Sequence, residues 1–150
     1  MVSFVKYSPP SRRVSRIAFV QSVYQFEQTE VPLSQIASQF LTYHFPDKQR
    51  SHPERQPANE DFYLELIRGL ELHLDEIDNL IVQNLTEEWS FDRIISIMKA
   101  VLRCSLYELK HQPLIPHPVV INEYVEITKM FADDKDVKFI NAILDKLSKK

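Results

Sequence analysis

The chain contains a single glycine, Gly69, and a single cysteine, Cys104, among its 150 residues. Tight turns, β-bulges and phosphate-cradling loops usually need glycine, because their backbone adopts a positive φ or approaches a ligand closely. One glycine therefore argues against a turn-rich β protein, and the sequence has neither a Walker motif nor a dinucleotide-binding motif. A lone cysteine cannot form an internal disulfide, and its apolar neighbours predict a buried, inert thiol in a reducing compartment.

Long apolar runs are also missing. No stretch approaches the roughly 18 uninterrupted apolar residues that cross a bilayer, and the N-terminus lacks the apolar core of a signal peptide. We therefore expect a cytoplasmic protein with no membrane partner. The histidines show neither His-x-x-x-His spacing nor neighbouring cysteines, so we predict no metal site and no cofactor.

Acidic residues are absent before Glu27, although the whole chain has a formal net charge of -3. The residues before Glu27 include four basic ones, Lys6, Arg12, Arg13 and Arg16. Positive charge concentrated at a helix start on an acidic protein is an electrostatic footprint for phosphate, which makes nucleic acid the first candidate ligand. A solvated arm without a partner explains the composition about equally well.

The first predicted helix, at about 12–28, has apolar residues on two sides. One broad face holds Val14, Ile17, Ala18, Val20 and Tyr24, and a second stripe nearly opposite holds Phe19, Val23 and Phe26. Arg12 and Arg16 lie along the second stripe. Two apolar faces predict either a central helix packed on both sides or a docking surface flanked by cations.

Apolar residues spaced by three and four predict five further helices, at about 34–45, 59–84, 90–111, 119–132 and 136–147. Ser34, Asn59 and Asp136 are the candidate N-caps. Gly69 falls inside the 59–84 helix and indicates a close approach by another helix or a tolerated accident. Residues 46–58 hold three prolines and predict an exposed loop.

The 90–111 segment is apolar over more than half its circumference, which predicts a central helix. Its polar strip includes Arg103 and is expected to face water. Glu108 falls at the apolar edge, and we predict that it pairs with a backbone amide or an arginine.

Charge and aromatic residues mark two more surfaces. Residues 60–92 contain ten acids against one base, which describes either a solvated helix face or a docking site for a basic protein. Phe139 lies outside the apolar face of the last helix, on a flank with Lys135. An aromatic among cations can stack a nucleobase, and packing against a neighbouring helix explains Phe139 as well.

Three stretches, in order, resemble the NusB transcription-antitermination family: RRVSRIAFVQSVYQ at 12–25, IMKAVLRCSLYEL at 97–109 and PVVINEYVEITKMFADDKDVKFINAILDKL at 118–147. The resemblance implies an all-α fold of about six to seven helices in two packed bundles, forming one RNA-binding domain over 1–150. It further implies a non-enzymatic antitermination factor in an RNA polymerase complex. Such a factor binds boxA-like single-stranded RNA of nascent ribosomal transcripts together with NusE, a ribosomal protein.

Carried over position by position, the resemblance implies two sets of contacts. RNA contacts fall at Arg12, Arg13, Arg16, Gln21, Lys135, Lys138, Phe139 and Asn141. Partner contacts fall at Tyr24, Glu88 and Asp92. Tyr124 departs from the family pattern, which usually has a small residue there, so it adds bulk to the packing of the last two helices.

A second interpretation stays open. The chain is also similar to the N-terminal domain of ribosomal-RNA cytosine methyltransferases, but it lacks the Gly-rich loop that a methyl donor needs. The alternative is therefore an RNA-binding or protein-interaction module without catalysis of its own.

Overall fold

The computed structural model describes residues 9–85, 91 and 94–149. Seven α-helices and one π-helical turn, and no strand, occur in these residues, so the all-α prediction is confirmed. The helices are α1 (Pro10–Thr29), α2 (Leu33–Gln39), α3 (Phe45–Ser51), α4 (Glu60–Asn84), α5 (Ser96–His111), α6 (His117–Lys129) and α7 (Asp134–Ser148), with the π-helical turn at Phe40–His44 between α2 and α3.

Helix α5 is the centre of the fold. Its residues from Ala100 to Leu109 are all buried, because two groups of helices pack on α5. One group includes α1 and α4, and the other includes α6 and α7. This confirms the prediction of a central helix, although α5 begins at Ser96 rather than near residue 90. Arg103, predicted to face water, is only 6 % exposed, since Asp78 of α4 and Glu27 of α1 neutralise it at 2.8 and 3.0 Å.

Both apolar sides of α1 are covered, at least in part. Phe19 and Val23 of the second stripe are fully buried, as are Ala18 and Val20 of the first face. Of the two alternatives, the structure therefore selects the central helix packed on both sides. Tyr24 is 39 % exposed and marks the edge of this packing.

The N-cap predictions had mixed outcomes. Asn59 caps α4 as predicted, since its side chain accepts the backbone N–H of Phe62 at 3.0 Å. Ser34 does not cap α2, because the helix starts one residue earlier and places Ser34 inside its first turn. Asp136 was also wrong: Asp133 caps α7 and accepts the backbone N–H of Asp136 at 3.0 Å.

The segment 46–58 is only partly a loop. Helix α3 extends to Ser51, and the wider π turn before it closes on the N–H of Phe45, which donates to the carbonyl of Phe40. Pro46 has no N–H to donate and its ring crowds the carbonyl four residues earlier, so a wider turn accommodates it where a regular α-turn would not. No residue of α3 is buried, which agrees with the predicted exposure of this stretch.

Gly69 marks a close approach, as one of the two alternatives predicted. A Cβ added there would lie 1.7 Å from the hydroxyl oxygen of Tyr107 on α5. The glycine therefore lets the Tyr107 ring lie directly against the α4 backbone. The sequence predicted the sixth helix at about 119–132, but α6 ends at Lys129, and Phe131 beyond it is 41 % exposed.

Candidate nucleic-acid interface

The start of α1 is a cationic helix terminus. Pro10 begins the helix, where its fixed φ suits the helical backbone and its missing N–H would have had no partner within the helix. The first turn contains no acidic residue. The helix dipole adds positive potential at this end, so arginines here repel it and lower helix stability slightly. The same arrangement attracts an anion such as a phosphate.

Arg16 does not reach the surface. Its side chain is 0 % exposed and binds the carboxylate of Glu108 through two hydrogen bonds, of 2.8 Å from Nε and 3.0 Å from Nη2. Nη1 lies 3.7 Å from Glu123 of α6, and the hydroxyl of Tyr124 donates to Glu108. Burial lowers the pKa of Arg16, but hydrogen bonding and charge from Glu108 outweigh it and raise the pKa overall.

The prediction for Glu108 is therefore confirmed, because its partner is an arginine. Arg16, which the resemblance placed among the RNA contacts, is fully buried in this fold, so its side chain presents no surface to a ligand. Tyr124 is fully buried, and its phenol supplies a hydrogen bond to Glu108, so the added bulk is used in the core. We call Arg13, Arg16, Glu108, Glu123 and Tyr124 the buried arginine network.

Arg13 sits at the edge of this network. Its Nε and Nη2 bind the two oxygens of Glu123 at 3.0 and 2.6 Å, while 37 % of its side chain is exposed. The hydrogen bond that Arg13 donates to Glu123 is the main cause that raises the pKa of Arg13. One carboxylate thus fixes the orientation of an arginine that still faces solvent.

Arg12 is the least neutralised of the three arginines. It makes no ion pair with any residue that the structure describes, and its guanidinium lies 4.7 Å from the ring centre of Phe62. The aromatic face supports the cation without cancelling its charge. Gln21 and Tyr24, which follow Arg16 along α1, are exposed.

Helix α7 presents a second polar surface. Lys135, Lys138 and Asn141 are exposed, whereas Phe139 is half-buried and packs against the core. This contact favours the packing interpretation for much of the Phe139 ring. The α7 surface connects to the arginines through α6, which holds Arg13 by Glu123 and packs on α7.

The predicted partner surface is only partly visible. Tyr24 is exposed and lines a groove of about 840 Å³ between α1 and the α2–α3 segment. Glu88 and Asp92 lie outside the described residues. The acids of α4 include Glu71 and Asp75, which are exposed, and Asp78, which pairs with Arg103.

Sequence reasoning missed Glu123, which holds two arginines and was placed on no functional surface. Its signal was a carboxylate within the predicted 119–132 helix, on the same side as the apolar residues Val120, Tyr124 and Ile127. It also missed a cluster of two histidines and a glutamate between α4 and α5, since these residues come from distant parts of the chain.

The fold and this site define a small all-α protein whose cationic helix terminus is anchored by a buried carboxylate network. Comparison with known sequences extends that description. The sequence model of the NusB family matches residues 13–149. The chain belongs to the NusB family.

Two relatives are transcription antitermination proteins NusB. The protein of Bartonella quintana is 34% identical over 97% of this chain and 94% of its own length. The protein of Caulobacter vibrioides is 35% identical over 92% of both chains.

Solved structures agree in fold. The Thermotoga maritima NusB structure has a TM-score of 0.77 and 31% identity, with 95% of this chain and 92% of that chain covered. A complex of the antitermination factors NusB and NusE with double-stranded RNA has a TM-score of 0.74 over 93% of this chain and 96% of that one. At 21% identity the second structure establishes the likeness of the fold alone. No helix in the described part of the chain is long and apolar enough to cross a membrane.

Proposed function

We propose that this protein is a transcription antitermination factor that binds boxA-type RNA of nascent ribosomal transcripts together with NusE. In this role it joins the RNA polymerase antitermination complex in the cytoplasm, suppresses premature termination and performs no catalysis. Family membership over nearly the whole chain supports the proposal. The antitermination names of its relatives and the NusE and RNA in the complex of a structural neighbour point the same way.

The single observation that carries RNA binding is Arg12 at the positive end of α1, whose guanidinium forms no ion pair with any described residue. Most protein hydrogen bonds to nucleic acid go to phosphate and sugar, and a partly exposed arginine at a helix N-terminus suits phosphate. Arg13 adds a partly exposed guanidinium beside it. Gln21 is exposed further along the same helix and is placed in the same contact surface.

We assign the second RNA surface to α7. Lys135 and Lys138 are exposed cations one turn apart, and Asn141 offers an amide at the next turn. The uncovered part of Phe139 provides an aromatic edge between them. Single-stranded RNA is commonly held by this combination of cations and aromatic rings.

Arg16 has a supporting role in this proposal rather than a contact role. It ties α1 to α5 through Glu108, and Glu123 ties Arg13 and Arg16 to α6. The network therefore sets where α1 presents its partly exposed arginines.

NusE is placed at Tyr24 and at the acidic segment with Glu88 and Asp92. Opposite charge speeds the encounter of two proteins, and an acidic surface suits a ribosomal protein that is itself basic. RNA is repelled from such a surface, which separates the two binding functions on one small protein.

The test is a filter-binding titration with boxA-like RNA over a range of salt, with and without NusE. For wild type, the logarithm of the RNA association constant should fall linearly with the logarithm of the salt concentration. Arg12→Ala should reduce the slope by roughly 0.7, the value for one phosphate contact on a single strand. NusE should strengthen RNA binding by wild type.

Arg50→Ala is the matched control. Arg50 is an exposed arginine on α3 that pairs with Asp47, so its loss changes the net charge by the same amount on a different helix. We expect its slope to equal that of wild type. Equal slopes for Arg12→Ala and wild type, or equal losses for Arg12→Ala and Arg50→Ala, would contradict the assignment.

A further inference from the structure

Two histidines and a glutamate converge where α4 meets the end of α5. Oε1 of Glu76 lies 3.2 Å from Nδ1 of His73, one turn earlier on α4, and 3.2 Å from Nε2 of His111 on α5. Its Oε2 lies 3.0 Å from the same His111 nitrogen. All three potential ligand atoms fall within 4.8 Å of one another.

Packing positions this cluster. The two imidazole rings stack with centroids 3.9 Å apart and planes within 17° of parallel. The ring of Tyr107 continues the stack, with its centroid 5.4 Å from that of His111. Tyr107 reaches this place because Gly69 leaves room for it, and α4 departs from helical geometry at His73 itself.

We propose that His73, Glu76 and His111 form a binding site for one divalent transition-metal ion of the zinc class. Two imidazole nitrogens and a carboxylate oxygen are a common zinc ligand set when water takes the fourth position. Tetrahedral coordination with bonds of about 2.0–2.1 Å places ligand atoms roughly 3.3 Å apart, close to the distances that Glu76 makes with both histidines. Imidazole also selects such ions over magnesium, which prefers oxygen ligands and octahedral geometry.

The surroundings permit entry and a water ligand. The side chains of His73, Glu76 and His111 are 34%, 46% and 24% exposed. The rings must splay from their parallel stack to direct both nitrogens at one ion, and the open side of the cluster gives them room. Exposed acids of α4, including Glu71 and Asp75, add negative potential that attracts a cation.

Such an ion would join α4 to α5 at a place remote in sequence from the arginines of α1. A ligand that binds only the folded chain stabilises it in proportion to the logarithm of its free concentration. The metal therefore acts as a clip between the two helices that pack against each other at Tyr107. This site is separate from the proposed RNA function, and neither requires the other.

The experiment uses the full chain without an affinity tag, titrated with zinc chloride by calorimetry and followed by thermal unfolding. We expect one zinc ion per chain and an unfolding midpoint that rises steadily with free zinc. His111→Gln and Glu76→Gln should each weaken zinc binding by at least about tenfold and remove the rise in midpoint. Magnesium at the same concentrations should leave the midpoint unchanged.

His52→Gln is the matched control. His52 is a surface histidine whose Nδ1 lies 3.7 Å from Glu54, a histidine–carboxylate pair that belongs to no three-ligand group among the described residues. Its zinc affinity should equal that of wild type. Circular dichroism of each variant without metal shows that the helices are intact.

Three results would overturn the proposal: no zinc binding by wild type, equal zinc affinity in wild type and both cluster variants, or an equal effect of magnesium. In the first case Glu76 would serve only as a hydrogen-bond acceptor for two stacked histidines.

Discussion

Replacing Arg16 by methionine is the sharpest test of the buried arginine network. The side chains of Arg16 and Glu108 are both 0 % exposed, and their two hydrogen bonds measure 2.8 and 3.0 Å. Methionine keeps much of the aliphatic volume but leaves the Glu108 carboxylate buried with the Tyr124 hydroxyl as its hydrogen-bond donor among the described residues. A buried carboxylate without its cation is strongly destabilised.

The expected loss is large. Breaking a buried ion pair by removing one partner costs roughly 3–5 kcal/mol. Native domains have unfolding free energies of about 5–15 kcal/mol, so Arg16→Met should remove a substantial part of the total. The loss should appear as a lower urea midpoint with an unchanged dependence on urea concentration.

The double variant Arg16→Met with Glu108→Met separates the ion pair from the loss of either charge. Replacing a whole buried pair by apolar residues is often neutral, so the double variant should recover much of the stability. Recovery stays incomplete because the Tyr124 hydroxyl then loses its acceptor, at about 1–3 kcal/mol. Urea unfolding followed by circular dichroism measures all three variants.

RNA binding gives the second readout. Since Arg16 has no exposed surface, folded Arg16→Met should keep the wild-type salt slope under conditions where it stays native. A slope reduced by roughly 0.7 would show that Arg16 contacts phosphate and would refute its placement in the core. A loss of stability below about 1 kcal/mol, or a double variant as unstable as the sum of the singles, would refute the ion-pair reasoning.

Two further predictions follow from close packing and from charge. Gly69→Ala should lower the unfolding free energy, although alanine favours a helix more than glycine does, because its Cβ would lie 1.7 Å from the Tyr107 hydroxyl oxygen. Adding Tyr107→Leu to the same chain should restore part of the lost unfolding free energy, as measured by urea unfolding. Burial raises the pKa of Glu27, but its hydrogen bond to Arg103 and nearby positive charge outweigh this and hold the pKa below the ordinary 4.5. The stabilisation from this ion pair is fully present above the ordinary pKa and is lost as the pH falls through the pKa of Glu27 in the folded protein. Glu27→Gln should therefore flatten the acid limb of a curve of unfolding free energy against pH. An unchanged limb would contradict the pairing.

The helices were predictable because their burial repeats every three to four residues. Helix α4 was predicted at about 59–84 and observed at Glu60–Asn84, with its Asn59 cap. Glu108 was predicted to pair with an arginine or an amide because a carboxylate on an apolar stripe needs a partner. These predictions use only the spacing of nearby residues, which can be read directly from the sequence.

Features that depend on competition or on distant residues were not predictable. Asp133 and Asp136 both suit an N-cap, and only the path of the chain into α7 selects the first. The π turn before Pro46 widens the backbone between α2 and α3, so that the helical path continues in spite of the proline. His73 and His111 are separated by the second half of α4 and nearly all of α5, so no spacing rule could join them.

The three arginines of α1 show which part of the sequence signal was underused. Arg12 and Arg16 share the stripe of Phe19 and Val23, and burial of that stripe already implies that an arginine within it is buried too. Arg16 is the nearer to the middle of α1 and is fully covered, whereas Arg12 lies at the helix end and emerges over Phe62. Position along an apolar stripe, and not charge alone, therefore separates an arginine that anchors the helix from one that can meet a phosphate.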